Sequence, residues 1–166
     1  MFNNIFDEKQ MIQLQSKLKK NNQTITTAES CTGGLIASMI TEISGSSSIF
    51  KGSIVTYCNE IKEQELNVKK ETMIKYGVVS CEVIEEMLQG AIEKFNATYC
   101  IAVSGVAGPN GGTKDKPVGT VAIGVLSTFK DQNIKIYHFK GDRKEIQIQA
   151  AKTALKIVFD ILDKNS

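Results

Sequence analysis

One stretch constrains the fold more than any other. TYCIAVSG, residues 98–105, is a near-continuous apolar run. A strand that alternates apolar and polar residues needs cover on one face; a continuous run needs it on both, and belongs inside a sheet flanked by helices. The neighbouring segments supply those helices. Residues 7 to about 21 carry Met11, Leu14 and Leu18 at helical spacing behind a capping Asp7. GGLIASMITEI reads as a helix that starts at about Thr32 and ends in the SGSSS turn. NEIKEQEL opens a short helix with Asn59 as its N-cap. ETMIKY forms another that Gly77 stops, and Ser80 caps a longer one through CEVIEEMLQGAIEKF. The last helix, DRKEIQIQAAKTALKIVFDILDK, aligns Ile146, Ala150, Ala154, Ile157 and Ile161 on one stripe.

Four more segments read as strands: QTITTA, FKGSIVTY, VGTVAIGVLS and NIKIYHF. The last two, joined by a turn near Asp131, are close enough to form an antiparallel hairpin. Alternating strands and helices, then a hairpin, then a long helix, predict an α/β sandwich with a mixed sheet. No repeat, low-complexity segment or linker interrupts the pattern, so residues 1–166 are expected to form one domain.

Charge and cysteine usage narrow the function classes. Twenty basic against eighteen acidic residues give a net charge of +2, no electrostatic footprint for nucleic acid or a membrane surface. The pairs Lys19-Lys20 and Lys69-Lys70 read as solvated helix ends. No apolar run approaches a membrane span, and MFNNIFDEKQ has neither the basic nor the apolar part of a signal peptide, so the chain is expected in the cytoplasm. Cys31, Cys58, Cys81 and Cys100 are widely spaced with no C-x-x-C pair. They predict free, mostly buried thiols and no zinc site. Histidine occurs once, at His138, so a Ser-His-Asp triad or a His-rich metal site must use it or not exist.

The chemistry concentrates in TTAESCTGG, residues 26–34. A strand that turns into a helix here presents backbone N–H groups that stabilise negative charge. Ser30 sits at the turn, and Cys31, Thr32, Gly33 and Gly34 offer amides with little steric cover. An oxyanion formed by attack of Ser30 Oγ can be held there. The competing reading is that Ser30 or Thr32 merely caps the helix. No P-loop and no G-x-G-x-x-G is present. A nucleophilic serine needs a base. His138 shares a strand face with Ile134 and Ile136 and reads as a half-buried structural residue. A lysine with a lowered pKa is the other option. TYCNEIK supplies Tyr57 at a strand end and Lys62 one turn into a short helix, unless Lys62 is simply an exposed helix charge.

TTAESCTGG, GSIVTYCNEIK, SGVAGPNGG, KPVGTVAIG and GDR stand in the order and spacing of the C-terminal domain of the CinA competence/damage-inducible proteins. The resemblance runs from about Gln10 to about Leu162. Stand-alone versions of that domain are nicotinamide-nucleotide amidases, which deamidate nicotinamide mononucleotide to nicotinate mononucleotide and ammonia in pyridine-nucleotide salvage. The resemblance implies a three-layer α/β/α fold, often dimeric, with no metal and no cofactor. It implies Ser30 as nucleophile, Lys62 as base and Tyr57 as an assisting hydroxyl. Larger CinA proteins carry an additional N-terminal domain, which these 166 residues are expected to lack.

The other motifs suggest substrate contacts. Ser104 and Gly105 end the buried strand, where open α/β sheets bind ligands. Gly105, Gly108, Gly111 and Gly112 either let backbone approach a ribose or phosphate or form an ordinary long turn. Arg143 either holds the 5′-phosphate in a bidentate pair or forms a surface salt bridge with Asp142 or Glu145. Glu29 either binds the ribose or caps a backbone amide. The amides of Cys31 and Gly33 would hold the oxyanion. The lysine pKa must fall by desolvation or by a nearby positive charge, and Arg143 is the candidate for the latter. Two rivals remain: a non-catalytic nucleotide-binding module, and a hydrolase that uses Cys31.

Overall fold

The computed structural model describes residues 1–165. Five strands form one sheet: β1 (Ile25–Glu29), β2 (Phe50–Val55), β3 (Tyr99–Gly105), β4 (Thr120–Ser127) and β5 (Gln132–His138). Their order is β2-β1-β3-β4-β5. β1 pairs parallel with β2 and β3, and β4 pairs antiparallel with β3 and β5, so the sheet is mixed. The helices are α1 (Glu8–Lys20), α2 (Leu35–Thr41), α3 (Asn59–Leu66), α4 (Lys70–Tyr76), α5 (Cys81–Phe95) and α6 (Arg143–Lys164). None is long and apolar enough to cross a membrane, among the described residues.

The apolar run forms β3, the middle strand, and every side chain from Tyr99 to Ser104 is buried. Alternation sorts those side chains into two cores. Tyr99, Ile101 and Val103 pack with residues of α1, α2 and α6. Cys100 and Ala102 pack on the opposite face with residues of α3, α4 and α5. The result is a three-layer α/β/α sandwich. Burying one large aliphatic side chain contributes about 1.5–3 kcal/mol. The seven-residue helices α2 and α4 would be marginal alone, so these layers hold them.

The ends of the elements depart from expectation in places. Gly33 and Gly34 have φ of 60° and 98°, a left-handed pair that postpones α2 to Leu35 rather than Thr32. Cys58, not Asn59, is the N-cap of α3, and no side chain closes that end. On α6 the buried stripe passes from Ala154 to Leu155, Val158 and Leu162, while Ile157 and Ile161 lie at its margin. Asp7 and Ser80 cap α1 and α5 as their positions predict. His138 is exposed rather than half-buried, on the edge strand β5. Of the four free thiols, Cys31 and Cys100 are buried and Cys58 is exposed.

One close approach sets the position of α3. A Cβ on Gly90, inside α5, would lie 2.1 Å from the Leu66 carbonyl oxygen at the end of α3. Alanine in a helix interior normally gains about 1 kcal/mol over glycine. Here overpacking, typically about 1–3 kcal/mol, opposes it. Gly90→Ala is therefore expected to lower the free energy of unfolding in urea rather than raise it.

Candidate active site

The strand order reverses at β1: the chain leaves β1 for β2 on one side and returns to β3 on the other. The crevice outside the carboxyl ends at such a switch point is where open α/β sheets bind ligands. Ser30 follows β1 at that point. Its amide donates to Val103 O at 3.0 Å, and the Thr56 amide donates to Glu29 O at 2.8 Å. The end of β1 is thus pinned from both neighbours.

Lys62 reaches the same point from α3. It is 2% exposed and Ser30 8%. Lys62 Nζ lies 3.2 Å from Ser30 Oγ and 2.8 Å from the Thr56 carbonyl oxygen. Lys62 is therefore not a solvated helix charge. Desolvation by burial lowers its pKa, against a smaller upward pull from the Cys58 and Cys31 thiols. Arg143 is not among the causes, so burial alone does what was expected of burial or a neighbouring cation.

Glu29 lies on the inner side of the turn. Its carboxylate accepts from the Ile36 amide at 2.6 Å and from Thr32 Oγ1 at 3.1 Å. It closes the start of α2, where Gly34 has no side chain to do so. Of its two readings the structure supports the cap: the side chain is fully buried and does not border the cleft. Burial raises the Glu29 pKa, partly offset by these hydrogen bonds. Neither Ser30 nor Thr32 caps α2.

Some predicted ligand contacts are spent on the fold. The Gly33 amide donates to Ser30 O at 3.0 Å, which removes it from an oxyanion site. Ser104 Oγ donates to Val78 O at 3.0 Å and faces the α5 layer, so its hydroxyl fastens the loop before that helix. The amides of Cys31 and Thr32 donate to no backbone carbonyl among the described residues, and the Cys31 amide faces only its own thiol. The Cys31 carbonyl accepts from Gln147 Nε2 at 2.9 Å. Gln147 was not singled out from sequence, although it lies one helical turn after Arg143.

A cleft of ≈ 290 Å³ opens above the turn, bordered by Ser30, Cys31, Tyr57, Gly105, Gly108, Gly111 and Arg143. Arg143 spans it. One guanidinium nitrogen donates to Gly108 O at 2.7 Å and the other to Tyr57 Oη at 2.9 Å. Asp142 and Glu145 instead cap α6 between themselves, so Arg143 makes no salt bridge with either. Tyr57 bonds neither Ser30 nor Lys62. Burial pushes the Cys31 thiol up to about 12, which disfavours the thiolate a cysteine nucleophile needs. His138 contacts Thr120 Oγ1 at 3.4 Å and is not in the cleft. No three His, Cys, Asp or Glu side chains converge as a metal site among the described residues.

The fold and site define an α/β/α domain with a desolvated serine–lysine pair at the carboxyl ends of its parallel strands. Residues 7–162 match the CinA C-terminal domain. The chain is 49% identical over 157 residues to a CinA-like protein of Fervidobacterium nodosum, covering 94% of this chain and 37% of that protein. It is 50% identical over 141 residues to a CinA-like protein of Syntrophomonas wolfei, covering 85% and 34%. The chain thus spans about a third of the length of these curated relatives. The crystal structure of the competence/damage inducible protein CihA from Agrobacterium tumefaciens superposes with a TM-score of 0.90 at 34% identity, covering 94% of each chain. The chain belongs to the CinA C-terminal domain family.

Burial of Lys62 has a measurable consequence. In the unfolded chain its pKa is about 10.4; in the fold it is lower. Below the folded value both states are protonated and the cost of burying the charge is complete. As pH rises from the folded value towards 10.4, the unfolded chain holds more protons, and folding is favoured. Lys62→Met carries no such cost. The unfolding free energy of Lys62→Met minus that of the wild type is therefore expected to be larger at pH 7 than at pH 10, measured by urea titration at both.

Proposed function

We propose that the chain is an amidohydrolase that converts nicotinamide mononucleotide to nicotinate mononucleotide and ammonia, with Ser30 as nucleophile and Lys62 as base. One observation carries the reading: Lys62 Nζ, desolvated and free of any salt bridge among the described residues, lies 3.2 Å from Ser30 Oγ. At an unperturbed pKa, roughly one lysine in a thousand or fewer is neutral near pH 7. Burial raises that fraction, which is what a base requires. Family membership supports the same reaction class through the resemblance described above.

In this mechanism Ser30 Oγ attacks the amide carbonyl carbon and its proton passes to Lys62 Nζ. The carbonyl oxygen takes up the negative charge, and the Cys31 amide, next to Ser30 in the chain and without a carbonyl partner, is the donor proposed for it. The Nζ proton then moves to the departing nitrogen, the carbon–nitrogen bond breaks and ammonia leaves. A water gives a proton to Lys62 and attacks the acyl-serine; the acid is released as the proton returns to Ser30 Oγ. Arg143 has five donors, of which two hydrogen bonds use two, so donors remain for the 5′-phosphate.

The test is ammonia release from nicotinamide mononucleotide. Ser30→Ala is expected to lose about 10³-fold or more in kcat/KM. Cys31→Ala keeps the backbone N–H and is expected to stay within about tenfold of wild type. Lys62→Arg keeps the charge but supplies no base, and is expected to lose about 10²-fold or more. A wild-type protein that binds the nucleotide and leaves it intact establishes the binding-module reading instead. Turnover is expected to survive exhaustive treatment with EDTA, and activity that EDTA removes and added metal restores contradicts the mechanism.

A further inference from the structure

We infer that Tyr57 is a specificity residue: the face of its ring recognises a flat, positively charged ring in the substrate, and its hydroxyl carries no proton in the reaction. The inference rests on the amidase reading above for the identity of that ring. Tyr57 lies between Thr56, whose carbonyl holds Lys62, and Cys58, the N-cap of α3. Burial alternates along this stretch: Val55 is 43% exposed, Thr56 fully buried and Tyr57 60% exposed. The residue whose carbonyl serves the dyad points inward, and the next side chain points out over the cleft.

The hydrogen bonds agree with that separation. Arginine only donates, so Tyr57 Oη accepts from Arg143 at 2.9 Å. Lys62 Nζ donates to Ser30 Oγ and to the Thr56 carbonyl, and neither Ser30 Oγ nor Lys62 Nζ bonds the phenol. A relay hydroxyl would sit in that chain. Tyr57 is instead an aromatic ring, the only one bordering the cleft among the described residues, clamped at its polar tip with its surface open.

The chemistry of the ligand fits such a surface. Nicotinamide attached to ribose through its ring nitrogen is a pyridinium, planar and cationic. A cation over a tyrosine face is attracted by the ring quadrupole, and flat π-systems stack. The clamp by Arg143 holds the ring before the ligand arrives, which reduces the ordering needed on binding. The guanidinium charge at the ring's tip opposes a second cation, and the phosphate of the same ligand neutralises it. The reduced dihydronicotinamide ring is uncharged and not aromatic, so it lacks the attraction.

The experiment compares wild type, Tyr57→Phe and Tyr57→Ala in ammonia release. It also measures calorimetric binding of nicotinamide mononucleotide and its dihydro form to Ser30→Ala, with and without Tyr57→Ala. Tyr57 is 60% exposed, so each variant is expected to fold, which circular dichroism checks. Tyr57→Phe is expected to keep kcat within about threefold of wild type and to raise KM by less than Tyr57→Ala does, since the ring stays and only the clamp at its tip is lost. Tyr57→Ala is expected to keep kcat within about threefold, raise KM and Kd about tenfold or more, and lose most of the preference for the oxidised ring. A fall of about 10²-fold in kcat for Tyr57→Phe overturns the inference in favour of a proton relay. An unchanged KM and Kd in Tyr57→Ala overturns it too. A wild type that binds but releases no ammonia removes the amidase reading alone, and the calorimetric pair then decides the inference. A wild type that binds neither ring removes both.

Discussion

The site depends on a lysine buried without a counter-ion. A charge taken out of water is costly unless paired, and pairing with a carboxylate would favour the protonated form that cannot accept a proton. Lys62 meets a neutral carbonyl and a neutral hydroxyl instead. Glu29, the buried carboxylate that precedes Ser30, is engaged instead by the Ile36 amide and the Thr32 hydroxyl, and it does not figure among the causes of the Lys62 shift. The fold therefore does two things at once. It gives the carboxylate a helix start to stabilise, and it leaves the lysine alone.

That separation depends on how the surrounding backbone is held. Ser30 and Thr56 are set by hydrogen bonds to β3 and β1. α3 is seated against α5 through the contact of the Leu66 carbonyl with Gly90. A lysine has four flexible side-chain bonds, and its position here is fixed by the two backbone segments that meet its tip.

Much of the architecture was legible in the sequence because burial leaves a pattern. The apolar run of β3 and the caps at Asp7 and Ser80 are local signals with local causes. Glu29, Gly33 and Ser104 mislead for a shared reason: a polar residue at a strand end can serve the fold or a ligand, and its sequence is the same in either case. Only the partners decide: the Ile36 amide, the Ser30 carbonyl and the Val78 carbonyl. Lys62 misleads in the opposite direction, since one lysine in the charged segment NEIKEQEL resembles its exposed neighbours until β1 is laid beside it. Thr56 and Gln147 contribute through a main-chain oxygen and one amide hydrogen bond, and neither leaves a mark in residue type.

The same allocation decides how the cleft can treat charge. A helix start usually attracts anions, because its first amides lack partners. Two helix starts beside the cleft are already closed by carboxylates: α2 by Glu29, and α6 by the reciprocal pair of Asp142 and Glu145. Neither dipole is free to hold a phosphate or an oxyanion. Negative charge in the cleft can instead use donors the fold leaves over, among them the Cys31 and Thr32 amides at the turn and the unspent donors of Arg143. The amides stand beside Ser30, where charge would develop on a carbonyl oxygen; Arg143 spans the mouth. Donors in two different places, under the proposed function, suit a ligand with two separate acceptors rather than a simple anion.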